Sequence, residues 1–323
     1  MKFTRDSILL DPKTETNRLI KELKEIVVFN LKKRGAVIGV SGGIDSSVVL
    51  ALCAKTFGPD RVIAVMMPER DSSPESKRLA TLLCEKFKVS YVLEDLTDAV
   101  NGFGCYKKRD EAVKRIFPEY DPTKHKMKIV LKGDIEAQGK INIFYLTIIF
   151  PDGTEKSFRL PLAEYLQIVA ASNFKQRSRM SMLYYYADAK NFAVIGTGNK
   201  NEHEQGFFVK YGDGGADVKP IAHLFKTQVY QLAEYLGVPD EIRSRIPTTD
   251  TYSAEQTQEE FFFKLPFDIL DRIWYGWEKG FSISEIVNTL KMTDHQVEVI
   301  INDIKQKIHT TEYLRQNPIS INQ

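Results

Sequence analysis

The sequence predicts an α/β fold: a parallel, doubly wound sheet with flanking helices, a small antiparallel β insertion and a helical C-terminus. Three observations carry this expectation. Short β-branched apolar runs alternate with helical stretches up to about residue 100 and again from 163, and such alternation builds a parallel sheet with right-handed crossovers. Between about 101 and 162 the apolar pattern changes to period two, as in antiparallel strands. From 267 to 316 the spacing is helical throughout. The expected organisation is therefore 1–100 with 163–265 as the main domain, 101–162 as an insertion, and 266–323 as a helical extension.

The elements follow in order. Leu19, Ile20, Leu23, Ile26 and Val27 recur at steps of three and four and predict an amphipathic helix over 13–33. Val37, Ile38 and Val40 predict a strand over 36–40, and helix 46–56 follows. Gly58-Pro59-Asp60 is a turn before a buried strand at Val62–Met67. Helix 74–87 and strand 89–93 complete the first half. In the insertion, Lys126–Leu131, Ile141–Ile149 and Lys156–Leu160 read as strands. Gly133-Asp134, Gln138-Gly139-Lys140 and Pro151-Asp152-Gly153-Thr154 read as turns between them. A surface elaboration is the expected role, with a lid or a subunit contact as the alternative. Helix 163–190, strand 192–195 and helix 227–236 return to the parallel pattern. Ser282-Ile283-Ser284-Glu285 is a helix start, and Met292-Thr293-Asp294 breaks that helix before a second one. Lys291, Lys305, Lys307 and Arg315 are balanced there by Glu285, Asp294, Glu298, Asp303 and Glu312. Balanced charge argues for a packing cap rather than a DNA-binding pair.

Bulk properties narrow the function. A chain of 323 residues fits one large α/β domain or two smaller ones. Its net charge of +2 gives no electrostatic case for nucleic acid. The three cysteines, Cys53, Cys84 and Cys105, form no C-x-x-C pair. Neither a zinc knuckle nor a redox couple is expected, and a reducing, cytoplasmic setting fits. The N-terminus is charged and lacks an apolar signal core, and no apolar run is long enough to span a bilayer.

The chemistry concentrates in two glycine turns. Strand 36–40 runs into Ser41-Gly42-Gly43-Ile44-Asp45-Ser46, and a helix leaves the other side. Bare backbone N–H groups at a helix start form a site for a polyphosphate. No G-x-x-x-x-G-K-[ST] lysine is present; Asp45 and Ser46 stand in its place. A carboxylate there repels phosphates unless it holds Mg²⁺ against them. The second turn, Gly196-Thr197-Gly198-Asn199-Lys200-Asn201-Glu202, also follows a strand. In an open parallel sheet both turns open at the carboxyl edge, where ligands bind. Glu202 is expected to share a metal with Asp45. The loop from Gly206 to Asp217 carries four glycines among polar residues and reads as a ligand loop. Lys226 opens a helix, where the dipole disfavours a cation, so a phosphate partner is expected for it.

Ser-Gly-Gly-Ile-Asp-Ser resembles the loop of the N-type ATP pyrophosphatases (the PP-loop superfamily, adenine nucleotide α-hydrolase-like in fold), which cleave the α–β bond of ATP. Further segments resemble NAD synthetase. They are Asn173-Phe174-Lys175-Gln176-Arg177-Ser178-Arg179-Met180, Gly196-Thr197 with Glu202, Gly206 to Asp217, Lys226, and Pro247-Thr248. This resemblance implies ATP-dependent amidation of deamido-NAD by ammonia through an acyl-adenylate, releasing AMP and pyrophosphate. It implies that Gly39, Val40, Ser41, Gly42, Gly43, Ile44, Asp45, Ser46, Thr197, Lys226 and Thr248 contact ATP. It assigns Asp45 and Glu202 to Mg²⁺, and Arg177, Lys210 and Asp217 to deamido-NAD. Asp45 and Lys226 carry the catalytic role, and a homodimer is implied.

The sequence departs from the family at two places. The usual D-H-A-A-E turn is Gly198-Asn199-Lys200-Asn201-Glu202, and residues 249–260 replace a shorter stretch with an Asp-Glu pair. A related ligase that amidates a different carboxylate remains the alternative. About 35 residues precede the phosphate loop. No nitrilase-like domain is expected there, so free ammonia or a separate glutaminase partner is the nitrogen source. A tRNA-modifying enzyme is disfavoured by the near-neutral charge and the missing cysteine pair. A non-catalytic nucleotide sensor is disfavoured by Asp45, Glu202 and Lys226.

Overall fold

The computed structural model describes residues 2–132, 143–249 and 251–321. Four parallel strands, β1 (Ala36–Gly39), β2 (Val62–Met66), β3 (Ser90–Leu93) and later β7 (Ala193–Val194), form a sheet in the order β3-β2-β1-β7. Register runs Ala36 to Val62 and to Ala193, and Ile63 to Ser90. Alternate residues of each strand face opposite layers. Ala36, Ile38, Ala64 and Met66 pack toward α1 (Pro12–Lys24), α2 (Ile44–Phe57) and α3 (Pro74–Phe87). Val37, Val65 and Val194 pack on the opposite layer against α6 (Leu162–Lys190) through Met180, Leu183 and Ala187. The sheet is doubly wound, as the alternating pattern predicts. The expected helix over 13–33 ends as regular α-helix at Lys24 and continues as one wide turn over Glu25–Asn30.

α2 is apolar all round, and Val48 to Cys53 are fully buried. It lies between the sheet, α1 and a later helix, α8 (Lys226–Leu236). Burial on every side fixes its N-terminus, and with it the phosphate loop.

The insertion is not wholly β. α4 (Thr97–Gly102) runs into its start, and α5 (Cys105–Ile116) lies within it before the sheet of β4 (Lys126–Lys132), β5 (Ile143–Ile149) and β6 (Glu155–Arg159). α5 escapes the sequence reading because its inward face carries the buried charges Arg109 and Asp110 beside Ala112 and Val113. Charges at core positions hide the apolar period. The antiparallel pairing follows the expected pattern, with Ile129 opposite Leu146 and Leu146 opposite Phe158. The expected turns at Gly133-Asp134 and Gln138–Lys140, and the start of the second strand at Ile141, lie outside the described residues.

After β7 come α7 (Lys200–Gln205), α8 and α9 (Asp240–Arg243), then the C-terminal helices α10 (Phe267–Glu278), α11 (Ile283–Leu290), α12 (Asp294–Thr310) and α13 (Glu312–Arg315). α11 starts on the expected capping box, with Glu285 N donating to Ser282 Oγ. Thr293 caps α12 in the same way. The helices enclose Trp274, Ile286, Val297 and Ile304 in a second core, which Phe3 and Ile8 close from the N-terminus.

Candidate active site

The strand order reverses between β1 and β7, and the site lies beyond the carboxyl ends of these two strands, at the switch point. Val40 extends β1 by one bond, its N–H donating to Val65 O (3.0 Å). The chain then turns through Gly42 at φ +72°, where a Cβ would sit 2.7 Å from Ser76 O. Only glycine fits this approach. Gly43 leads into α2, and its carbonyl accepts from Ser46 Oγ (3.0 Å) and Ser47 Oγ (2.8 Å).

Asp45, in the first turn of α2, reaches both other loops. Its Oδ1 accepts from Asn199 Nδ2 (2.9 Å), and its Oδ2 accepts from Lys226 Nζ (2.5 Å). Asn199 caps α7 through a capping box: Glu202 N donates to Asn199 Oδ1, and Asn199 N donates to Glu202 Oε2, both at 3.1 Å. Glu202 thus gains its orientation from the start of its own helix. Burial, then the nearby Asp45 carboxylate, push the Glu202 carboxyl well above the usual range. Burial alone would lower Lys226, but Asp45 and Glu202 outweigh it and raise its ammonium. The sequence predicts a phosphate partner for Lys226; within the chain, the partner its ammonium has is the Asp45 carboxylate.

The starts of α7 and α8 are tied together by a residue of the C-terminal helices. Asp271 of α10, fully buried, accepts from Asn201 Nδ2 (2.6 Å) and from Thr227 N (2.8 Å). Asn201 Oδ1 in turn accepts from Lys226 N (3.0 Å). One carboxylate therefore sets the spacing of the helix starts that carry Glu202 and Lys226.

A cavity of about 510 Å³ opens from this point, a size that suits a nucleotide. Gly39, Val40, Ser41, Gly43, Ile44, Asp45, Ser46, Thr197, Glu202, Lys226 and Thr248 all line it. Its other end is aromatic: Phe144 of β5 stacks on Tyr165 of α6 at 4.5 Å, and Tyr252 meets Phe261 edge-on at 5.9 Å. The insertion therefore supplies part of the wall and is more than a surface elaboration. Beside that wall, Lys175 Nζ is buried between Glu69 Oε1 (3.0 Å) and Asp71 Oδ2 (2.6 Å). Arg109 of α5 also pairs with Asp71.

A family model for NAD synthase matches residues 15–132 and 137–318. The chain belongs to the NAD synthase family. The NH(3)-dependent NAD(+) synthetase of Mesorhizobium japonicum is 46% identical over 312 residues, 97% of each chain. Among solved structures, the NMN synthetase of Francisella tularensis superposes with a TM-score of 0.67 at 23% identity, over 97% of this chain and 99% of its own. The NH3-dependent NAD synthetase of Campylobacter jejuni gives a TM-score of 0.62 at 21% identity, over 97% and 100%. Both structures share the family fold.

The residues expected from the resemblance fall into two sets. The ATP and metal set converges on the cavity; of it, Gly42 alone stays off the lining and acts by shaping the turn. The deamido-NAD set lies outside the cavity lining. Arg177 is exposed, with Nε donating to Lys210 O (3.3 Å), and Lys210 Nζ donates to Tyr313 O (2.9 Å). Asp217 accepts from Tyr184 of α6 (2.9 Å) and from Val194 N (2.8 Å). Asn199, Gln258 and Asp271 were missed by sequence reasoning. The Asn199-x-x-Glu202 capping pattern was the signal for the first; Asp271 left no local signal.

The residues present suit a divalent cation. Asp45 and Glu202 are two half-buried acids beside a single ammonium, that of Lys226, and each disfavours the other's charge, so a cation between them would relieve both. Among the described residues no group of three or more His, Cys, Asp or Glu is placed to hold a metal. A magnesium ion bound here would complete its shell with phosphate oxygens and water, which is its usual preference.

Proposed function

We propose that this protein amidates deamido-NAD with ammonia at the expense of ATP, yielding NAD, AMP and pyrophosphate. The convergence of Asp45, Glu202 and Lys226 beside the phosphate loop carries the reading. In the first step a carboxylate oxygen of the acceptor bonds to the α-phosphorus, and the bond from that phosphorus to the bridging α–β oxygen breaks. Pyrophosphate leaves. In the second step the ammonia nitrogen bonds to the acyl carbon, the carbon–oxygen bond to AMP breaks, and a proton is lost from nitrogen.

The chain's own groups bind, orient and neutralise. The loop N–H groups and the start of α2 receive phosphate oxygens, and Lys226 offsets charge that builds at the phosphates. Magnesium held by Asp45 and Glu202 would supply further neutralisation. No side-chain nucleophile is needed. Cys53, Cys84 and Cys105 are buried, and burial raises all three thiols, Cys84 to about 12. Arg177, Lys210 and Asp217 are assigned to the acceptor as a second site on α6 and the neighbouring loop.

A cytoplasmic setting is proposed, supported by the three free cysteines; among the described residues no helix is long and apolar enough to cross a membrane. A homodimer is proposed, and a monomer by light scattering under assay conditions overturns it. The test of the reaction is a screen with Mg-ATP, ammonia and a set of carboxylates that includes deamido-NAD and its mononucleotide half. Mass spectrometry should find NAD and AMP in equal amounts. Amide formation on a different acid, with none on deamido-NAD, refutes the assignment.

A further inference from the structure

Residues 247–249 and 251–258 link the antiparallel sheet to the phosphate site. At the neck Gln258 N donates to Pro247 O (2.9 Å), and Thr248 bridges Thr257. The tip is clamped to β4. Met127 N donates to Ser253 Oγ (2.9 Å), Ala254 N donates to Met127 O (3.1 Å), and Gln256 Nε2 donates to Ile129 O (2.9 Å). Lys175 Nζ holds Thr251 O from the α6 side (3.2 Å). Tyr252 is buried in the core with Met127, Ile129, Leu146 and Ile148.

With the tip fixed, the neck aims the Gln258 side chain into the cavity. Its Nε2 donates to Glu202 Oε1 (3.1 Å), and its Oε1 accepts from Lys226 Nζ (3.5 Å). An amide donates at one end and accepts at the other, so it joins a carboxylate to an ammonium. The contacts close a ring: Asp45 to Lys226, Lys226 to Gln258, Gln258 to Glu202, Glu202 to Asn199, and Asn199 back to Asp45. A ring of hydrogen bonds involving charged members polarises each neighbour and fixes their spacing.

We infer that Gln258 is a positioning residue for the ATP half of the reaction, holding Glu202 and Lys226 at the separation a polyphosphate meets and tying that separation to the antiparallel sheet. The inference rests on the ligase reading for its place in the reaction, but binding of Mg-ATP needs no acceptor, so the two stand or fall separately. Two variants separate the contacts. Q258M keeps the length and removes both bonds. Q258E keeps an acceptor for Lys226 and replaces the donor to Glu202 with a carboxylate.

Both should bind Mg-ATP about tenfold more weakly by calorimetry, the effect of one lost bond to a charged group. In steady state the KM for ATP should rise by about the same factor while the KM for ammonia stays within about twofold. A general loss of packing would instead shift both constants together. Wild-type ATP affinity in Q258M overturns the inference. So does a Q258M defect that Q258E restores, because the Glu202 contact is then dispensable. If Q258M does not fold, Q258E carries the test alone, and wild-type affinity in it is the overturning result.

Discussion

Replacing Asp271 with asparagine tests how the site is held together. Asp271 is fully buried in α10, and burial pushes its carboxyl up to about 6 despite the bonds from Thr227 N and Asn201 Nδ2. The sign follows from that direction. Between the ordinary carboxylate range near 3.8 and about 6, the folded protein keeps a proton here that the unfolded chain has lost. Stability contributed at this position therefore falls as pH rises through that window. About two pKa units convert to about 3 kcal/mol. Asparagine does not titrate, so the unfolding free energy of the wild type minus that of D271N should decrease by about 2 kcal/mol from pH 4 to pH 7. Urea unfolding of both proteins at several pH values measures it, and all other titrating groups cancel in the difference. A constant difference across the window refutes the account. The same substitution turns an amide NH₂ toward one of two donors, which costs about 1.5–3 kcal/mol in a bond to a charged group. Because those donors open α7 and α8, D271N should also weaken ATP binding by about tenfold or more, whatever its stability at neutral pH.

Two further outcomes are expected. D45N keeps an acceptor for Lys226 but removes a carboxylate, so pyrophosphate release should fall by roughly 10²–10³ while circular dichroism stays native; near-normal turnover would remove the metal role of Asp45. K175M leaves Glu69 and Asp71 buried without the ammonium that lies 3.0 and 2.6 Å away. Breaking such a pair costs about 3–5 kcal/mol, read by chemical denaturation, and a loss below about 1 kcal/mol would show that Arg109 and solvent suffice.

The legible parts of this chain are those where one local pattern fixes one element. The run from Ala36 to Ser46 announces strand, turn and helix because each residue serves its own element: apolar strand, glycine turn, apolar helix. Helix 74–87 and the long helix ending at Lys190 are read for the same reason. α5 is hidden because Arg109 and Asp110 occupy inward positions, neutralised by residues of a distant loop. Asp271 and Gln258 are hidden for a related reason. Their partners lie 70 and 56 residues away, and nothing nearby in sequence marks an acid on a helix as buried. The grouping of Asp45 with Glu202 was foreseeable because both follow strands of one parallel sheet, whose carboxyl edge collects its loops.

Each charge at the centre of the site is delivered by a different structural unit, and this explains why so much of the chain bears on it. Asp45 is fixed by α2, which is enclosed on every side; Glu202 and Lys226 are fixed by two helix starts that share Asp271; Gln258 is fixed by the antiparallel sheet. Two acids beside one ammonium would drift apart in a loose assembly, since Asp45 takes the Lys226 ammonium and Glu202 is held by the Gln258 amide and the Asn199 N–H. The packing prevents that movement where Asp45, Glu202 and Lys226 meet, and Lys77, Lys175, Arg179 and Arg245 bring further positive charge to the cavity lining. On the proposed reading, a bare triphosphate would bring its own negative charge against Asp45 and Glu202 at the phosphate loop, whereas its magnesium complex would offer them a cation to ligate.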